Sequence, residues 1–304
     1  MNLRHLKIFL AVCDNNCNTT HAAQALYLVQ PAVSRAIQEL ERDYGVRLFD
    51  RLSRKLYLTE AGLRFREYAK HIVSLEEELE TGMRSLSESA TVRVGASITI
   101  GSQFLPGYVE AYQAQFPCTQ IHVQVTASES LERAVCANEA DIALIEGTVH
   151  NASLISEAYM KDRLLVVASP QYGFSPGQAL SLDEVRKQRF LLREQGSGTR
   201  EVFDSFMETA GVHISPIWES SSTTALLNAA IHGLGIAVLP QRMILGPLQR
   251  GRIICIRIEE IDFTRTFNMV YHKNKFIFPA LRRFMDLCRN YELDYPLPKY
   301  SGLF

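Results

Sequence analysis

A chain of 304 residues with 47% apolar and 21% charged side chains has the length of two or three domains and the composition of a globular protein, which excludes a disordered or collagen-like polymer. The net charge of −1 hides an asymmetry: residues 1–66 carry ten Lys/Arg against six Asp/Glu, and the remaining 238 carry 22 against 27. A basic N-terminal segment on a mildly acidic body is the electrostatic footprint of a nucleic-acid reader with an appended module. Leu3, Leu6, Phe9 and Val12 recur at helical spacing and predict a first helix over 3–14, ended by the polar cluster Asp14-Asn15-Asn16. Asn18 or Thr19 can cap a second short helix through Leu26, with Ala22, Ala23 and Leu26 inward. A third helix starts at Gln30-Pro31, where proline is favoured because its missing N–H has no intrahelical acceptor. Val33, Ile37 and Leu40 form its buried stripe and Gly45 its stop.

The opposite face of this third helix carries Gln30, Ser34, Arg35 and Gln38. A helix-turn-helix presents the leading turn of its recognition helix to the major groove, where Arg pairs with guanine and Gln with adenine. Any three-helix bundle has a polar outside, so these residues alone decide nothing. The sequel adds weight: Val46–Thr59 reads as a hairpin with Leu48, Phe49, Leu56 and Leu58 inward and Arg51, Arg54 and Lys55 at the tip, as in a wing gripping phosphate.

The spacing of Phe9, Ala22-Ala23, Leu26, Gln30-Pro31-Ala32-Val33-Ser34-Arg35, Leu40-Glu41, Gly45-Val46-Arg47-Leu48-Phe49 and Leu58-Thr59-Glu60-Ala61-Gly62 resembles the LysR-type transcriptional regulators. The resemblance implies that Gln30, Pro31, Ser34 and Arg35 reach base edges or flanking phosphates, with Gln38 on the same face and the wing residues Arg51 and Arg54 alongside. One departure stands out: family members carry Ser or Thr before the Gln-Pro pair, whereas this chain has Val29, which forfeits a good helix cap.

From Thr59 the chain reads as helix to about Ser89, with Thr59 as cap. Phe65, Tyr68, Ile72, Leu75 and Leu79 step by three and four, a heptad seam flanked by Glu76, Glu77, Glu78 and Glu80 as solvated charge. With no neighbouring segment left to cover the seam, it is expected to pair two chains and to predict a roughly palindromic DNA site. Residues 85–91 read as a hinge.

Beyond it, strands at Thr91–Ala96, Ile121–Val125, Asp141–Ile145, Leu164–Ala168, Phe190–Leu192, Ile217–Glu219, Ile236–Leu239, Ile253–Ile258 and Phe267–Tyr271 alternate with helices over 103–116, 128–138, 199–210 and 222–232. This predicts an α/β architecture, and the resemblance implies a periplasmic-binding-protein-like effector domain of two subdomains. The expected fold is therefore multidomain, α and α/β. It comprises a winged helix-turn-helix over 1–58, a linker dimerisation helix and hinge over 59–90, and an effector-binding domain over 91–304. Subdomain I takes 91–163 and 266–290, and subdomain II takes 164–265.

Three loops place hydroxyls and backbone N–H groups where a strand runs into a helix, the usual anion-holding geometry: Ser97 and Thr99, Thr126 and Ser128, and Ser197, Thr199 and Arg200. Ordinary capping explains any one of them; three together suggest a cleft. The resemblance puts the effector there. Arg200 fits either a ligand anion or a salt bridge, and Glu146 either a ligand amine or an arginine; the guess for the effector is an anionic metabolite. Gly196-Ser197-Gly198 is not a nucleophile elbow and Gly233-Leu234-Gly235 precedes a strand, so no enzyme and no cofactor are expected. The six cysteines have no metal-ligand spacing and read as reduced core thiols, and no metal is expected. With no run of 18 apolar residues and no secretion-signal pattern at Met1–His5, the expected location is cytoplasmic, without a membrane partner. Expected partners are double-stranded DNA, a small-molecule effector and further copies of the chain, as dimers assembling to a homotetramer. RNA polymerase is a further candidate partner.

Overall fold

The computed structural model describes residues 2–52, 55–84 and 90–291, with only the backbone of Leu52, Lys55, Glu78 and residues 80–84. Arg54, the hinge residues 85–89 and the tail 292–304 lie outside the described residues. The chain divides into two compact units, one of Met1–Glu88 with Cys136–Asn138, the other of Ser89–Val135 with Glu139–Phe304.

The first unit contains α1 (Leu3–Asp14), α2 (Thr19–Ala25), α3 (Gln30–Tyr44), a hairpin of β1 (Phe49–Leu52) and β2 (Lys55–Leu58), and α4 (Glu60–Arg84). The Asn18 carboxamide caps α2 by accepting from Thr20 N at 2.9 Å and His21 N at 3.2 Å. Gly45 ends α3 in the left-handed region at φ 67°, which a side chain would resist. The apolar stripes of the three helices meet in one core with Leu48 and Phe49 from the hairpin.

The Thr59 hydroxyl caps α4, accepting from Gly62 N at 2.9 Å while donating to Arg47 O at 2.7 Å. The expectation of an uncovered seam on α4 needs correction. Phe65 packs edge-on against Phe9 with centroids 4.9 Å apart and against Tyr44 at 5.3 Å, so this seam member belongs to its own unit's core. Helix α1 supplies the neighbour that sequence reasoning overlooked, and Lys7 pairs with Glu76 at 2.6 Å, which takes Glu76 out of the solvated set. Tyr68, Ile72 and Leu79 stay exposed.

The second unit runs β3 (Thr91–Ala96), α5 (Ile98–Gln103), α6 (Leu105–Gln115), β4 (Gln120–Val125), α7 (Ser128–Cys136), β5 (Ile142–Glu146), β6 (Leu154–Ala168), β7 (Ala179–Leu180), α8 (Leu182–Val185), β8 (Phe190–Arg193), α9 (Gly198–Thr209), β9 (Trp218–Ser220), α10 (Thr223–Ile231), β10 (Ile236–Pro240), α11 (Gln241–Gln249), β11 (Ile254–Ile258), β12 (Thr264–His272) and α12 (Pro279–Asn290). The sheet order is β4-β3-β5-β12-β6-β10-β8-β9, with β11 also on β6 and β7 on β11. Strands β3, β4 and β5 pair in parallel and β12 antiparallel. Strand β6, at 15 residues, is nearly three times the length of a usual strand of about 5–6 and serves two halves: Leu154–Arg163 pair with β12, and Leu164–Ala168 with β10 and β11.

The strand expected at 164–168 starts ten residues earlier, at Leu154, because the mixed face of that stretch (Ser156, Glu157, Lys161, Asp162) hides the alternation that identifies a half-buried strand. The helix expected over 103–116 is α6, and a further short helix, α5, precedes it across Phe104. The thiols also differ from a uniform core set: Cys255 and Cys288 are buried, whereas Cys118 is exposed. Burial pushes the half-buried Cys13 thiol up to about 12. Among the described residues no helix is long and apolar enough to cross a membrane.

Candidate functional site

The leading turn of α3 is where the first unit offers hydrogen-bonding chemistry to solvent. Pro31, Arg35 and Gln38 are exposed and Ser34 half-buried. The Gln30 amide nitrogen donates to Ser34 Oγ at 2.8 Å and to Thr19 Oγ1 at 3.2 Å, tying the turn to the start of α2. Arg35 is held along the helix by Glu39, Nε to Oε1 at 3.0 Å, yet its side chain keeps 81% exposure. Val29 supplies no side-chain cap to α3, as its apolar side chain dictates. Instead it and Tyr27 project outward, 69% and 98% exposed. Arg51 is exposed on β1, in register with Leu56.

In the second unit, the residues singled out in the strand-to-helix loops fall at the ends of β3, β4 and β8. Ser97 caps α5, its hydroxyl accepting from Ile100 N at 3.5 Å. Ser128 opens α7 and donates to Glu146 O at 3.4 Å. Thr126 is half-buried beside them, its N–H bonded to Ala96 O. The loop before α9 docks onto this group: Glu129 N donates to Gly196 O at 3.2 Å. Gly198 lies so close to β5 that a Cβ there would be 2.1 Å from Glu146 O, a contact only glycine allows. Ser197 caps α9 by position without a side-chain hydrogen bond.

Thr99 and Thr199 meet at a buried carboxylate. Glu146 Oε1 accepts from Thr99 Oγ1 at 3.1 Å and Thr199 Oγ1 at 3.3 Å, and lies 3.4 Å from Arg265 Nη1. The Arg265 guanidinium is gripped by Asp162 Oδ2 at 2.6 Å through Nη2 and 2.8 Å through Nε, and it donates to Thr199 Oγ1 at 2.8 Å. All five of these residues are buried. Each carboxylate nevertheless leaves one oxygen, Glu146 Oε2 and Asp162 Oδ1, buried without a hydrogen-bond partner. Arg200 is not part of this group: it bonds Asp204 at 2.8 Å and Glu219 at 3.3 Å, the salt-bridge alternative. Nearby, burial lowers Arg242, whose guanidinium stacks 5.2 Å above Phe104, while Asp162 pulls it back up.

Sequence reasoning left Glu146 undecided and missed Asp162 and Arg265. Both sit on strands, β6 and the start of β12, in stretches to which the residue pattern assigned no strand, and the register pairs them directly. Opposite charges facing each other across two extended segments were the available signal. A cavity of about 270 Å³ adjoins this group, since Arg265 and Gly147 are in its lining together with Thr148, Glu201, Thr266 and Asn268.

Comparison with known proteins follows this geometry. The model of the bacterial regulatory helix-turn-helix protein, lysR family, matches residues 3–63, and that of the LysR substrate binding domain matches residues 86–292. The chain is 33% identical over 288 residues to the HTH-type transcriptional regulator YeiE of Escherichia coli strain K12, covering 95% of this chain and 97% of that protein. Full-length CbnR complexed with its target DNA has the same fold, with a TM-score of 0.61 at 22% identity over 95% of this chain and 99% of CbnR. So does the regulatory domain of CcmR from Synechocystis PCC6803 in complex with 2-PG, with a TM-score of 0.61 at 20% identity over 66% of this chain and 96% of that domain. Since the two family models between them take in both units, the chain belongs to the LysR family: it is a DNA-binding transcriptional regulator, not an enzyme, with an effector-binding domain behind its helix-turn-helix.

Proposed function

We propose that this regulator reads its DNA site with the leading turn of α3 and changes its grip on that site when a small molecule occupies the cleft of the second unit. Gln30, Pro31, Ser34, Arg35 and Gln38 face the bases and flanking phosphates, and Arg51, with Arg54 of the wing, holds the backbone. The observation that carries this is the exposure of Arg35 at the first turns of a helix whose other face is buried. A bidentate Arg–guanine contact is worth ~1–3 kcal/mol of discrimination. The double variant Ser34→Ala/Arg35→Ala, folded by circular dichroism, is expected to lose site preference in a selection from random DNA while keeping weak, salt-sensitive binding. Retention of the parent's preference would refute the reading.

The co-inducer contacts Ser97, Thr99, Thr126, Ser128, Ser197 and Thr199, with Arg200 setting the loop before α9. What supports this is the meeting of Thr99 and Thr199 on one buried carboxylate. CcmR's regulatory domain holds 2-PG in the same fold. The domains divide as 1–58, 59–90 and 91–304. The exposed Tyr68, Ile72 and Leu79 of α4 pair two chains, and the dimers assemble to a cytoplasmic tetramer on DNA. Binding alters activity only if the ligand prefers one conformation. A metabolite panel screened by thermal stabilisation, then by DNase footprint, tests this. A stabilising metabolite that leaves the footprint unchanged would argue against the coupling.

A further inference from the structure

We propose that the cleft is an oxyanion site whose resident anion is the protein's own Glu146 carboxylate, and that a small oxyanion-bearing effector acts by taking its place. The proposal rests on the reading of this cleft as the effector site. What Glu146 Oε1 receives is a donor set suited to any oxyanion: two threonine hydroxyls, at 3.1 and 3.3 Å, and a guanidinium nitrogen at 3.4 Å. Thr199 is the second residue of α9, a helix of 12 residues, and its first residue, Gly198, lies so close to Glu146 that a Cβ there would be 2.8 Å from Glu146 Cγ, so the start of this helix lies against the same carboxylate.

Glu146 is a poor occupant of that seat. Its Oε2 is buried without a partner, and a half-satisfied buried carboxylate is costly. Its approach to Arg265, at 3.4 Å, is longer than that of Asp162, which holds the guanidinium at 2.6 Å. A free oxyanion, with three or four acceptor oxygens and no tether, can meet Thr99, Thr199 and Arg265 together. Two anions repel each other in one seat, so Glu146 must turn away, and its repulsion limits the affinity.

The exchange also reaches both halves of the domain. Thr99 and Glu146 come from the β3–β5 half and Thr199 from the other, while Asp162 and Arg265 lie on β6 and β12. Replacing a tethered anion by a free one therefore changes what joins them.

The test uses the full-length protein with inorganic sulfate, phosphate and formate as probes. Sodium chloride at matched ionic strength serves as the control, and methylammonium chloride as the amine arm. Glu146→Gln and Glu146→Thr remove the resident charge; either suffices if the other misfolds. The expected result is that the folded variant binds at least one oxyanion about tenfold tighter than the parent by calorimetry. Adding Thr199→Val should abolish that gain. Unchanged oxyanion affinity in a folded variant overturns the proposal. Methylammonium binding to the parent, lost in Glu146→Gln, overturns it too, since the carboxylate would then be an amine acceptor. The reading of the cleft as the effector site stands or falls separately: if Thr99→Val and Thr199→Val abolish a metabolite's effect on the footprint while Glu146 variants gain no oxyanion, only the exchange is wrong.

Discussion

Asp141 shows how single residues hold the second unit. Its carboxylate accepts from the backbone N–H of Arg93 at 2.7 Å, pairs with the Arg93 guanidinium at 2.7 Å and faces Lys275 Nζ at 2.7 Å. Burial opposes its ionisation, but the Arg93 hydrogen bonds and the Lys275 charge outweigh burial and hold the carboxyl below its ordinary 3.8. A carboxyl lowered in the native state adds stability in full above its unfolded value, and that stability is lost as pH falls through the native one. Asp141→Asn is expected to cost ~3–5 kcal/mol at pH 7, since it removes the buried charge that faces both Arg93 and Lys275. Urea unfolding at pH 7 and pH 3 checks both parts: the difference between parent and variant should shrink in acid. At this scale the sequence was least informative. The hydroxyls Ser97, Thr99, Ser197 and Thr199 are legible because strand-to-helix junctions advertise them. Asp162 and Arg265 become partners only through a register that joins segments over a hundred residues apart, and no local pattern encodes that.

Elements are where physical patterning reads best and where its limits are plainest. Helices α1, α2 and α3 follow directly from their apolar spacing and from the signals at Asn18, Pro31 and Gly45. The short buried strands β3, β5 and β10 are equally legible, because an apolar run between turn residues leaves little choice. The first ten residues of β6 escape because polar side chains interrupt the alternation there. The cap of α3 offers a clean test of local physics: Val29 leaves the first N–H groups of α3 without a side-chain acceptor. Val29→Thr or Val29→Ser is expected to stabilise the first unit by ~1 kcal/mol. A raised thermal midpoint is the readout. An unchanged midpoint would mean that the Gln30 bonds to Thr19 and Ser34 already fix the turn.

For the molecule as a whole, the proposed pairing of two chains rests on the exposed strip of α4. Tyr68 and Leu79 are 63% and 65% exposed, more apolar surface than a solvated helix needs, whereas Phe65 is already spent inside its own unit. Ile72→Glu with Leu79→Glu is expected to convert dimers to monomers by sedimentation, and with them to lose about half of the salt dependence of DNA binding, as one reading head replaces two. Persistence of the dimer would move the contact elsewhere. Another consequence lies in β6, one unbroken strand that changes partners between Arg163 and Leu164. A plank nailed to two floors cannot be lifted from one alone. The halves on either side can flex as one twisted surface, but neither can melt, or be traded between relatives as a cassette, without tearing the other's seam.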